Sequence, residues 1–201
     1  MSAPASSVAG LILAAGESRR FGGAKLLAPL DGRPLVQHVI DAANASSLEP
    51  VVLVVGAGAD ELLAAVRLGR SLVVRNAAYA TGQASSLQAG LAAVVDADAA
   101  VVLLADMPGV RAALLDALVA RQRGSLAAAV TSLWRGRRTP PTLLHRDLWP
   151  ALHDLRGDVG AREVLAGRTD VVDLDVDPTL GSLDDIDTPE DHARVSGTPD
   201  G

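Results

Sequence analysis

The chain has 201 residues, 49% of them hydrophobic but only 2% aromatic, no cysteine and a formal net charge of −6. Disulfides, thiolate catalysis and cysteine-held zinc or iron–sulfur centres are therefore excluded. The acidic balance argues against nucleic acid or an anionic membrane as a general partner, so an anionic substrate would need a local cluster of cations.

Length and the lack of any linker or repeat predict one domain over 1–201, its core built from Ala, Val and Leu. No apolar run is long enough to span a bilayer, and the start lacks the basic and apolar segments of a signal peptide, so a cytoplasmic location is expected. Residues 1–7 and 196–201 are expected to be disordered tails. The apolar run 8–15 ends at glycine and predicts a buried strand. Helical spacing over 34–45 places Leu35, Val39 and Ile40 on one face. A strand at 51–55, a helix at 59–68 and a strand at 71–75 follow. A helix at 83–95, a strand at 99–104, a helix at 110–123 and a strand at 126–133 come next. Residues 146–155 and 161–166 are predicted helical, 171–176 an exposed strand with alternating acids, and 189–195 a terminal helix. Continuous apolar strands alternating with amphipathic helices predict an α/β fold of three layers, a mostly parallel central sheet with helices on both faces. Ligands in such sheets bind beyond the carboxyl ends of the strands. That rule singles out the loops 16–25 and 76–86 and the triplet Asp106-Met107-Pro108.

The first of these loops belongs to LILAAGESRRFGGAK, residues 11–25. Small residues at Ala14, Ala15 and Gly16 let a ligand approach the backbone, and Arg19, Arg20 and Lys25 concentrate three cations beside exposed amides. The pattern is neither a Walker A loop nor the Rossmann GxGxxG. Alone, it also fits a strand–helix turn with solvated cations. Asp106 follows an apolar strand and suits either Mg²⁺, which prefers hard oxygen ligands, or the cap of a helix starting near Val110. In LGSLDDIDTPED, residues 180–191, Thr188-Pro189-Glu190-Asp191 is a helix start.

Together these stretches resemble the nucleotidyltransferases related to molybdenum cofactor guanylyl- and cytidylyltransferases, over about 8–193 of this chain. The double alanine before Gly16 is similar to the CTP-using branch. The resemblance implies a Rossmann-like nucleotidyltransferase (GT-A-like) fold. It implies Arg20 and Lys25 as the chief phosphate contacts and Ala14, Ala15 and Gly16 under the nucleoside, with Leu13 and Arg19 also among the nucleotide-binding residues. It makes Asp106 a Mg²⁺ ligand and Asp187 the second, Asp185 being the weaker candidate. A segment similar to Gly-x-x-x-Ser-Leu makes Gly82, Gln83 and Ser86 nucleoside contacts, whereas capping suits Ser85. Pro141 to Leu144 resembles the segment beside the acceptor. Leu-x-Gly-Asp-x-Gly-Ala-Arg, residues 155–162, matches the cytidylyltransferase pattern. There Asp158 is expected to cap the following helix, and Arg162 either reaches an acceptor phosphate or pairs with Asp158. Thr139-Pro140-Pro141 departs from the Gly-His-Pro of many relatives, which bears on the acceptor more than the donor.

The implied reaction is transfer of CMP from CTP to molybdopterin-type molybdenum cofactor with Mg²⁺, leaving pyrophosphate. A molybdoenzyme or its chaperone is the macromolecule that such a product would meet. Three other readings stay open: a sugar phosphate or other phosphorylated acceptor, an NAD(P)H-dependent pigment reductase, and a non-catalytic nucleotide-binding or cofactor-chaperone module.

Overall fold

The computed structural model describes residues 6–16, 21 and 24–196. In chain order the elements are β1 (Val8–Ala14), the hairpin β2 (Pro29–Leu30) and β3 (Arg33–Pro34), α1 (Leu35–Ala45), β4 (Val51–Val55), α2 (Ala59–Ala65), β5 (Leu72–Arg75) and α3 (Gln83–Ala92). They continue with β6 (Ala99–Leu104), α4 (Ala112–Ser125), β7 (Ala129–Trp134), β8 (Arg137–His145), α5 (Trp149–His153), α6 (Ala161–Leu165), β9 (Val171–Asp175) and α7 (Pro189–Val195).

Seven strands form one sheet in the order β5-β4-β1-β6-β8-β7-β9. Among the described residues β8 runs antiparallel to its neighbours β6 and β7, and the other pairings in this sheet are parallel. β1 lies between two parallel partners, so Ile12 stands opposite both Leu53 and Leu103. A strand so placed is covered on both faces, which is why all seven of its residues are buried. The pleat then sorts its side chains. Ile12, Leu53, Val101 and Leu103 join one core with Val39 and Ile40 of α1 and Leu114, Leu115 and Leu118 of α4. Leu11, Leu13, Val52 and Val54 join the other with Leu87 and Leu91 of α3 and Leu152 of α5. Each fully buried aliphatic side chain contributes roughly 1.5–3 kcal/mol of transfer free energy. Burying both faces therefore gives this centre a closely packed support for a site. The sheet grows outward from β1 through β4 on one side and through β6 on the other. The carboxyl ends of β1 and β6 thus form the switch point at which such folds bind ligands.

Several expected boundaries move. The helix expected over 59–68 stops at Ala65 because Val66 turns extended, at φ −113° and ψ 157°. The helix expected over 83–95 stops at Ala92. α4 starts and ends two residues later than expected, closing with Leu126 in the left-handed region at φ 54°, and β7 begins only at Ala129. The stretch 146–155 divides into a 3₁₀ turn, Arg146–Leu148, and α5, which has Pro150 in its first turn. The sequence reading had no counterpart for β8. Pro140-Pro141 looks like a break because proline has no N–H for a ladder. Here Thr131 faces Thr142 while Ser132 faces Thr139, so both prolines fall in a bulge where β7 makes no such pairing. The expected disorder of 1–7 also needs correction at its inner end. Ser6 and Ser7 both donate through their backbone N–H to Asp98 Oδ2 at 3.0 Å. Residues 1–5 and 197–201 lie outside the described residues. No helix among the described residues is long and apolar enough to cross a membrane.

Candidate active site

Past β1, Ala14 and Ala15 are buried and Gly16 opens to the pocket. Lys25 begins a 3₁₀ turn, Lys25–Leu27, and is itself only 8% exposed. Leu26 of that turn packs with Leu30, Leu35 and Ile186, so the turn is pinned from below. The Lys25 Nζ donates to Asp106 Oδ2 at 2.7 Å and to Asp187 Oδ1 at 3.1 Å. Burial opposes the ammonium charge, but the charge and hydrogen bond of Asp106, then those of Asp187, outweigh it and hold the Lys25 pKa above its ordinary value. Lys25 is therefore a permanent cation between two carboxylates.

Asp106 leaves the sheet just beyond β6. It does not cap α4, whose first turn follows Arg111 with no side-chain cap. Its Oδ1 is buried without a hydrogen-bond partner among the described residues. A buried carboxylate oxygen without a donor costs about 1–3 kcal/mol or more, so it is a place where a ligand is expected.

Asp187 arrives from the far end of the chain on a strap of residues 180–187. Ser182 N–H donates to Gly109 O at 3.0 Å, and Ile186 N–H donates to Asp106 O at 3.0 Å. Ile186 is fully buried beneath the hairpin, which locks the register that puts Asp187 beside Asp106. The strap lies so close that a Cβ on Gly109 would stand 2.6 Å from Ser182 O. Asp191 completes the support. Its Oδ2 accepts from Thr188 N–H at 3.0 Å, in the capping box of α7, and from Asp187 N–H at 3.2 Å. Partial burial, then the like charges of Asp187 and Asp106, raise the Asp185 carboxyl above its ordinary range. Among the described residues no group of three or more His, Asp or Glu is placed to hold a metal.

These groups border a pocket of about 460 Å³. Leu13, Ala14, Ala15, Gly16, Lys25, Gly82, Gln83, Ser86, Asp106 and Asp187 all line it. Arg19 and Arg20 lie outside the described residues. Arg162 lines a second cavity, of about 540 Å³, with Arg138, Thr139, Pro140 and Thr142. The two cavities share Leu13, Gln83, Leu104 and Asp158 along their common edge.

Three local expectations change, the caps expected of Asp158 and Ser85 and the pairing of Arg162 with Asp158. Asp158 does not cap α6, whose N-cap Gly160 makes no side-chain bond; its Oδ1 accepts from Gln83 N–H at 3.2 Å, at the start of α3. Gly82 lines the pocket, yet its glycine is required by the chain. At φ +111° its Cβ would stand 2.4 Å from Gly157 O. Ser85 does not cap α3; its hydroxyl donates to Gly82 O at 2.8 Å. Arg162 is exposed and makes no ion pair with Asp158 among the described residues. Sequence reasoning passed over Ile186 and Asn76 and gave Asp191 only its place in the helix start, yet all three hold lining groups in place.

Residues 10–172 match the MobA-like NTP transferase domain, and the chain belongs to that family of nucleotidyltransferases. The purine catabolism protein PucB of Bacillus subtilis is 35% identical over 92% of this chain and 94% of its own length. The nicotine blue oxidoreductase of Paenarthrobacter nicotinovorans is 32% identical over 94% of this chain and 96% of its own. The crystal structure of Rv0371c from Mycobacterium tuberculosis in complex with manganese is 25% identical, covers 96% of this chain and 100% of that one, and superposes with a TM-score of 0.80.

Proposed function

We propose that the pocket at the ends of β1 and β6 transfers CMP from CTP to a phosphate of a molybdopterin-type cofactor, with release of pyrophosphate. The observation that carries this reading is the clasp of Lys25 between Asp106 and Asp187 at the edge of the Ala14-Ala15-Gly16 floor. Two carboxylates and a lysine at a strand end suit a triphosphate and a divalent cation.

Asp106 and Asp187 would hold Mg²⁺. The fit rests on their hard oxygens and on the buried Asp106 Oδ1 that no donor among the described residues satisfies. The manganese complex of Rv0371c is consistent with a divalent ion in this family. When bound, Mg²⁺ supplies positive charge to the triphosphate. Lys25 then has the triphosphate as an alternative partner to the carboxylates and balances charge on the departing pyrophosphate. Ala14, Ala15 and Gly16 leave room for the nucleoside, and Arg19 and Arg20 add positive charge to the same loop. An acceptor phosphate oxygen attacks the α-phosphorus, a new P–O bond forms, and the bond to the bridging oxygen of pyrophosphate breaks. The attacking oxygen is already ionised near neutrality, so no protein base is needed. CTP is favoured by the double alanine before Gly16, and the acceptor is assigned to the cavity that Arg162 and Thr142 line.

The test is a panel of CTP, GTP, ATP and UTP with Mg²⁺, each offered molybdopterin-type cofactor or sugar phosphates and read as pyrophosphate. Release with CTP and the pterin acceptor is expected. Release with sugar phosphates alone would reassign the acceptor. Oxidation of NAD(P)H without pyrophosphate release would replace the reaction by the one that nicotine blue oxidoreductase is named for. Nucleotide binding without turnover would make the chain a carrier.

A further inference from the structure

Asn76 closes β5 and is only 7% exposed, its backbone N–H donating to Val55 O at 2.8 Å. Its side-chain Oδ1 accepts from Ala78 N–H at 2.9 Å. That contact fixes the amide, because a flipped side chain would turn NH₂ against a backbone donor. The two Nδ2 protons are then committed. One goes to Ser85 Oγ at 2.9 Å and the other to Ser86 Oγ at 3.0 Å. Ser85 passes its own proton to Gly82 O at 2.8 Å or Ala78 O at 3.0 Å and is fully used within the protein. Ser86 is different. It accepts from Asn76, is 5% exposed and lines the 460 Å³ pocket, and among the described residues no protein group accepts its proton.

We infer that Asn76 sets Ser86 as a hydrogen-bond donor of fixed polarity facing the nucleotide, so the nucleoside atom seated against Ser86 is an acceptor. The inference rests on the nucleotidyltransferase reading of the same pocket. A serine hydroxyl ordinarily rotates to serve donors and acceptors alike. Here one of its two lone pairs is taken by a buried amide that cannot turn and its proton has no acceptor among the described residues, so a ligand donor at that point would leave that proton unpaired. Discrimination of this kind is strong in a buried site, where a mismatched polar pair is left unsatisfied. Asn76 is thus a positioning residue and Ser86 the contact. The acceptor is a ring nitrogen or carbonyl of the base, or an oxygen of the ribose.

Calorimetric titration of the full chain with CTP and Mg²⁺ tests this. Ser86→Ala should weaken CTP binding by roughly three- to tenfold, the size of one neutral hydrogen bond, with its thermal midpoint close to that of the natural chain. Asn76→Asp keeps an acceptor for Ala78 N–H but turns the serine protons inward, and it should weaken binding at least as much. The double variant should bind no more weakly than Asn76→Asp, since both changes remove the same donor. 2′-Deoxy-CTP locates the acceptor. A loss in the natural chain that vanishes in Ser86→Ala puts it on the ribose 2′ oxygen, and an unchanged Ser86→Ala effect puts it on the base or another ribose oxygen; both uphold the donor. If the natural chain binds CTP and Ser86→Ala binds it equally well, the inference is overturned and the nucleotidyltransferase reading survives. If the natural chain binds none of the four nucleotides, both fall. Should Asn76→Asp not fold, Ser86→Ala alone decides.

Discussion

The two cavities that meet along Leu13 and Leu104 hold their charges in opposite ways. In the first, Lys25 is buried and engaged by two carboxylates from distant parts of the chain. In the second, aliphatic walls carry two guanidiniums at the rim. Arg138 is tied to Asp173 at 2.8 Å with both side chains partly exposed, and Arg162 is exposed. Removing one member of a buried ion pair costs about 3–5 kcal/mol, whereas an exposed pair is worth about 0–1 kcal/mol. The first cavity is built so that a change in one charge disturbs every other. The second can change its exposed charges with little effect on the fold. A family that keeps one reaction and varies its acceptor would be expected to place its variation in the second.

The largest expected effect therefore comes from Asp106→Ala. Pyrophosphate release should fall roughly a thousandfold or more, with the circular dichroism spectrum unchanged. Retention of most activity would remove Asp106 from the site. Lys25→Met comes next. Turnover should fall about a hundredfold, because one stabilising charge is lost. The same variant should bind Mn²⁺ more tightly without nucleotide, measured by the loss of the free-ion electron paramagnetic resonance signal, because the competing ammonium is gone. Weaker Mn²⁺ binding would mean that Lys25 does not share the cation position.

On the other side of the divide, Arg162→Ala should raise the KM for the acceptor by about tenfold while the KM for CTP stays within about twofold, the mark of one lost charge-assisted hydrogen bond. An equal rise in both would dissolve the distinction between the cavities. The smallest effect lies far from either. The Ser6 hydroxyl first, then the Ser7 and Ser6 backbone donors, hold the Asp98 pKa at about 2, below its ordinary 3.8. A depressed carboxylate stabilises the fold above its unfolded pKa, and that contribution fades as pH falls from about 4 to about 2. Asp98→Asn should flatten this part of the curve of thermal midpoint against pH without altering activity.

The difference between the cavities also explains what could be read in advance. β4 and β6 lie where the apolar runs placed them, to the residue, because a strand covered on both faces can contain little else. Lys25 and Asp106 stand out as charges beside strand ends, Asp187 is singled out by the family resemblance, and the fold brings the three side chains together. β8 was not readable, since Pro140-Pro141 resembles a break until the bulge opposite Thr131 and Ser132 is seen. Nor was the strap, because Ile186 owes its position to Asp106 O and to Leu30 and Leu35, contacts that leave no local pattern. Asn76 was missed for a related reason. Its importance lies in which protons it commits, and those partners sit on the next helix.

The most direct measurement is a crystal structure with CTP and Mn²⁺, in which the metal is located by its anomalous signal. A peak within bonding distance of Asp106 and Asp187, with Lys25 moved from the carboxylates to the phosphates, is the predicted result. A metal bound elsewhere, or Lys25 still clasped between both carboxylates with CTP in place, would contradict the account.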